Sequence, residues 1–164
     1  HGHIPELLEA GVAVGLGSDH ASSGVVDLCQ EMFLVAGGYK EVRTSPEVLP
    51  PERVLEMATL NGARCAQRAG EIGALEVGRR ADLVLFDTAR PEWQPLYNPV
   101  ANLVYSATGR SVDTVIVDGR VLVEGGRALT LDEGAIIEEA RRRAPGILAR
   151  TKLGELVAPK WPVI

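Results

Sequence analysis

Asp19 and the residues just after it hold most of the side chains here whose type and spacing could do chemistry. Asp19 follows, after Ser18, Val12-Ala13-Val14-Gly15-Leu16-Gly17, a short run of small and β-branched residues that reads as a fully buried strand. A carboxylate at that point sits at the C-terminal mouth of the strand, the face that carries the active site in an α/β barrel. Gly15 and Gly17 leave little side-chain bulk before it, so metal, water or substrate can come close. There a carboxylate can bind a divalent cation and take a proton from its bound water. The same spacing equally suits an Asp that caps the helix behind the turn. Residue order alone leaves both readings open.

The polar turn Ser18-Asp19-His20-Ala21-Ser22-Ser23-Gly24 offers further groups. His20 could shuttle protons, bind metal or contact substrate. Neighbouring side chains tend to diverge, however, so His20 and Asp19 need not face one site. Ser22 and Ser23 are candidates for hydrogen bonds to a substrate, or else for turn and capping roles. His1-Gly2-His3 has the HxH spacing that can place two imidazoles on one ion, but it lacks a preceding strand and runs into PELLEAG; it reads as a surface or loop segment. Asp82 and Asp87 flank a strand and read as turn residues. The sequence contains no nucleophile elbow, no phosphate-binding glycine loop and no paired cysteines.

These residues belong to a chain of 164, 46% apolar and 24% charged, with aromatics at only 4%. That balance is globular, with an aliphatic core. A net charge of -5 argues against nucleic acid, whose phosphates call for concentrated Lys and Arg. The basic clusters Arg79-Arg80 and Arg141-Arg142-Arg143 read as solvated surface. Cys29 and Cys65 lie far apart and read as reduced thiols. Without an apolar run of membrane-spanning length or the regions of a signal peptide, the sequence suggests a cytoplasmic protein with no membrane partner. Because it opens on His1 rather than Met, the expectation is a piece of a longer chain.

The elements around Asp19 read as follows. Residues 5–10 form a short helix with Pro5 in its first turn and Gly11 as its stop. After the strand and polar turn, helical spacing from about residue 25 to 36 is closed by Gly37-Gly38. A Pro-rich loop covers 44–51, and a helix from Pro51 continues to about Gln67. Residues 71–78 are turn-rich, 81–87 a strand, and 91–99 a loop; 100–106 suit helix or strand. Strands 112–117 and 120–124 flank Asp118-Gly119, a two-residue hairpin turn. A last helix, 132–143, is halted by Pro145-Gly146, and an extended tail follows. The expected organisation is a barrel-like segment (1–68), a β-rich module (69–130), and a C-terminal helix with tail (131–164).

Pro5 through Asp19 resembles the stretch leading into the last barrel strand of the amidohydrolase superfamily, in its cytosine deaminase, guanine deaminase and triazine chlorohydrolase-like branch. Leu55-Glu56-Met57-Ala58-Thr59-Leu60-Asn61-Gly62-Ala63-Arg64 is similar to the helix after that branch's active-site loop. Residues 72–87, IGALEVGRRADLVLFD, resemble its return into the β-sandwich; Asn98-Pro99-Val100 and residues 112–120 resemble its final strands.

The resemblance implies an α/β fold: the C-terminal part of a (β/α)8 metal-dependent hydrolase barrel plus part of a composite β-sandwich. It implies a divalent metal, zinc first and iron second, with Asp19 as a ligand and as the acceptor of the attacking water's proton. The family often has Gly or another small residue after the Asp and Asn in the downstream turn; here His20 and Ser22-Ser23 stand there instead, as candidate substrate contacts. The implied activity is hydrolysis of non-peptide carbon–nitrogen bonds, deaminating a purine-, pyrimidine- or triazine-like heterocycle; halide displacement is the enzymatic rival and a non-catalytic scaffold the other. The early HxH pair, the later histidines and the helper Glu of the family are missing from these 164 residues. The chain alone is therefore expected to be inactive and to associate with the missing N-terminal portion, in a homo-oligomeric enzyme.

Overall fold

The computed structural model describes residues 2–19, 25–151, 153–158 and 161. Two compact units emerge, His1–Arg127 and Ala128–Ile164.

In the first unit, α1 (Ile4–Glu9) starts with Pro5 in its first turn, where the missing N–H costs nothing. Gly11 takes φ 79°, and the Val12 N–H donates back to the Leu7 carbonyl, ending the helix. Residues 12–19 then run on without sheet pairing. The buried strand expected here is thus absent: Val12 is 47% exposed. A strand is defined by its ladder, and no neighbouring strand among the described residues offers one.

α2 (Leu28–Arg43) begins later than the apolar spacing suggested and runs straight through Gly37-Gly38. A glycine inside a helix costs only about 1 kcal/mol, and burial of Cys29, Met32 and Ala36 outweighs it. The real stop is Thr44, left-handed at φ 50°, with the Ser45 N–H bonded to the Lys40 carbonyl. The Lys40 ammonium also reaches the Leu49 carbonyl at 3.0 Å, tying down the loop.

α3 (Pro51–Ala58) and α4 (Leu60–Cys65) replace the single expected helix, with the break at Thr59 (ψ -87°). β1 (Leu83–Phe86) follows the turn-rich stretch. Then come a 3-10 turn at Pro91–Trp93 and α5 (Pro99–Tyr105), which settles the ambiguous segment as helix. The Asn98 side chain caps α5, accepting from the Val100 and Ala101 amides. Leu8, Met32, Ala36, Leu49, Val54, Met57 and Val104 form the core, drawn from α1, α2, α3, α5 and the loop between α2 and α3.

β2 (Val112–Val117) lies between β1 and β3 (Arg120–Glu124), antiparallel to both. Val117 pairs with Arg120 across Asp118-Gly119, whose φ values of 51° and 77° are those of a type I′ turn. The Asp82 carboxylate accepts from the Asp118 amide at 2.7 Å, and Gly119 donates to the Ala81 carbonyl. Asp82 therefore serves at a turn, as expected. β4 (Arg127–Ala128) ends the sheet order. Phe86 and Trp93 pack at 5.6 Å between ring centroids.

In the second unit, α6 (Glu133–Thr151) continues through Pro145, where a stop was expected. The proline removes one helical bond. No side chain of α6 is buried, so the freed carbonyl can be hydrated, and Glu138–Arg141 and Glu139–Arg142 pairs span the preceding turn. α7 (Gly154–Val157) follows. Among the described residues no helix is long and apolar enough to cross a membrane.

Candidate active site

The segment that carries Asp19 is fastened to the helices even though it has no ladder. Val14 and Leu16 pack on the core. Between them, a Cβ on Gly15 would come within 3.2 Å of the Gly62 Cα and 3.3 Å of the Cys65 Sγ. Glycine at 15 is what lets this backbone lie against α4 at Gly62 and Cys65. Cys65 Sγ also sits 3.6 Å from the Ala13 carbonyl.

Asp19 stands at the end of this path, exposed and left-handed at φ 52°. That conformation costs most residues about 1–2 kcal/mol, less for Asp, and such outliers gather at functional sites. The capping alternative fails for α2. That helix starts well after Asp19, and its cap is Asp27, whose Oδ1 accepts from the Cys29 amide at 2.9 Å. A signal for this was present: Asp27 followed three residues on by Gln30 has the spacing of a capping box.

His20, Ser22 and Ser23 lie outside the described residues, as does His1. His3 is exposed and 3.9 Å from Glu6, in keeping with a surface role. Among the described residues, no three His, Cys, Asp or Glu side chains come together in a metal-holding group. One carboxylate does not make a metal centre, so the described residues do not fit a complete one by themselves.

Other polar residues of this unit do structural work. Asn61 is buried and accepts from Arg64 at 2.8 Å. Ser111, fully buried, donates to Glu92 at 2.7 Å, and this bond holds the Glu92 carboxyl below the usual carboxylate range. The Cys29 thiol is pushed up to about 11 by burial and by the charge of Asp27, so it is inert. An open groove of about 640 Å³ is lined by Glu71, Arg79, Arg80 and Asp118 among others. Its charges pair internally, Arg80 with Glu71 and Asp118, Arg79 with Glu76.

Comparison with known proteins places the fold. The profile of the amidohydrolase family matches residues 3–122, and the chain belongs to that family. It is 46% identical over 142 residues to a 5-methylthioadenosine/S-adenosylhomocysteine deaminase of Desulforudis audaxviator, covering 86% of this chain and 33% of that protein. It is 43% identical over 148 residues to a 5'-deoxyadenosine deaminase of Methanosarcina acetivorans, covering 90% and 34%. In structure it is similar to a zinc-bound adenosine deaminase of Xanthomonas campestris, with a TM-score of 0.85 at 30% identity over 89% of this chain and 34% of that one. A zinc complex of atrazine chlorohydrolase from Arthrobacter aurescens matches with a TM-score of 0.76 at 30% identity, over 85% and 31%. The chain thus spans about a third of the length of the curated relatives it matches. The expected α/β fold of a partial amidohydrolase holds, and zinc in these neighbours supports a divalent metal in the family.

Proposed function

We propose that the whole protein is a hydrolytic deaminase of a purine nucleoside-type substrate and that Asp19 is this chain's contribution to its reacting centre. One observation carries the reading: Asp19 ends, exposed and left-handed, a path inside the stretch that matches the amidohydrolase family. The relatives' names favour an adenosine-like ring over pyrimidine or triazine. Residues 1–68 then belong to the closing part of a (β/α)8 barrel, residues 69–130 to a β-sandwich and 131–164 to a C-terminal helix and tail.

Asp19 would be one donor to a divalent ion, zinc by analogy with the neighbours, the other donors coming from outside the described residues. Such an ion, when bound, polarises a water molecule. Asp19 itself has an exposed, acceptor-only carboxylate suited to hold a proton in transit to the departing amine. His20, Ser22 and Ser23 would contact the substrate. We place the enzyme in the cytoplasm as a homo-oligomer.

A second reading, halide displacement, draws on the chlorohydrolase likeness. Incubating the whole zinc-loaded protein with 5'-deoxyadenosine, methylthioadenosine and a chlorotriazine separates the two. Ammonia from the nucleosides is the expected result; chloride release alone, or neither product, overturns the proposal. The 164-residue chain assayed by itself should release neither.

A further inference from the structure

We propose that α6 is a dimerisation helix, which pairs antiparallel with α6 of a second copy of this chain across a two-fold axis near Arg142. It gives a surface to the homo-oligomer proposed above and is independent of the reading of Asp19.

α6 (Glu133–Thr151) has no buried residue. Ile136, Ile137 and Ile147 are 52%, 50% and 47% exposed, and Leu148 is half-buried. These residues are not scattered. Glu133, Ile137, Ala140, Ala144, Ile147 and Thr151 follow one another at alternating steps of four and three, the spacing of a helix-pairing seam. Ile136 and Leu148 widen it, and the whole stripe covers about a third of the helix's circumference. Arg142 and Pro145 fall outside that arc.

The seam is also a palindrome. Counted outward from Arg142, Ala140 answers Ala144, Ile137 answers Ile147, Ile136 answers Leu148 and Glu133 answers Thr151. A two-fold contact demands such a pattern, because one patch must suit itself and each residue must suit its mate. A face that packs on an unlike surface has no need of it. At the centre the small alanines let two helix axes approach closely.

Charge fixes the direction. Glu133, Glu138 and Glu139 lie in the first half of α6, and Arg141, Arg142, Arg143 and Arg150 in the second. An antiparallel pair sets each acidic half against the other copy's basic half and opposes the two helix dipoles. A parallel pair would bring like charges together. Arg141 and Arg143 flank the seam near the axis, but each is paired on its own helix, with Glu138 at 2.7 Å and with Glu139. The near balance of glutamate and arginine also sets α6 apart from a helix that lies on a membrane, whose polar face is rich in Lys and Arg. Residues 3–122 carry the family match, so α6 lies beyond it.

The test is sedimentation of the whole protein over a range of concentrations, as wild type, Ile137→Glu, Ile147→Lys and the variant with both changes. Positions 137 and 147 are about 15 Å apart along one helix, so their charges cannot pair within a chain; across the axis they meet twice. Wild type is expected as a dimer or an even multiple of it. Each single change should raise the concentration at half-association by about 10-fold or more. The double variant, and an equimolar mixture of the two single variants, should recover most of that loss. A monomeric wild type would overturn the proposal, as would single variants that associate like wild type or a double variant no better than either. So would a single variant that melts earlier at unchanged mass, since the face would then be covered by another part of the same chain. If a single variant does not fold, mild oxidation of mixed Ala140→Cys and Ala144→Cys chains decides. Disulfide-linked dimers between unlike chains are expected; links only between like chains, or none, overturn the pairing. A whole protein that dimerises in this way but releases no ammonia sinks the reading of Asp19 alone. Ammonia release without this pairing sinks the pairing alone.

Discussion

The hairpin of β2 and β3 and the segment of residues 12–19 are both short and carry apolar runs, yet only the hairpin is a strand pair. In the hairpin, Asp118-Gly119 folds the chain back so that each strand supplies the other's ladder, and β1 completes the far side of β2. Residues 12–19 have no such partner among the described residues and are held by side chains and by Gly15 against α4. A hairpin carries its partner in its own sequence. A barrel strand has to borrow one. The chemistry proposed here stands at the end of the segment without a partner, not on the self-sufficient hairpin.

The largest expected effect on this contrast is Ile116→Pro. It removes a ladder donor from the central strand and should destabilise the β-module by about 3 kcal/mol or more. Urea unfolding of the chain measures it, and a loss below about 1 kcal/mol would mean the sheet contributes little.

Gly15→Val probes the other region. Overpacking against Gly62 and Cys65 should cost about 1–3 kcal/mol and, in the whole enzyme, lower kcat by displacing Asp19. Unchanged stability would show that the segment is not seated on α4. A smaller effect is expected for Gly119→Ala, about 1 kcal/mol from the left-handed φ of 77°.

Smallest is Ser111→Ala, read by NMR titration. The Glu92 pKa should rise toward the ordinary carboxylate value as its hydrogen bond is lost. Because the folded value is depressed, the bond's contribution is present above the unfolded pKa and fades as pH falls through the folded one. The stability difference between wild type and variant should therefore shrink in acid. A gap that stayed constant down to low pH would rule out this linkage.

How much was legible follows the same division. Asp-Gly between two short strand-like runs announced the hairpin, since type I′ geometry favours those residues. Asp19 was singled out through the segments flanking it, whereas spacing alone left it nearly level with a helix cap, and its role stays a proposal. Asp27 was not found as a cap, although its capping-box spacing was there to be read. The bond that its Oδ2 accepts from the Gly109 amide was illegible in principle, because no local pattern links residues so distant. The helix stops at Gly37-Gly38 and Pro145 were misread for one reason: local penalties of a few kcal/mol yield to packing or to hydration of an exposed face.

Asp19 is proposed to take part in hydrolysis. Its most direct test is kcat for ammonia release from an adenosine-type nucleoside by the whole protein, wild type against Asp19→Asn, both loaded with zinc. A loss of about 10²- to 10⁴-fold is expected. A variant that turns over at the wild-type rate would contradict it.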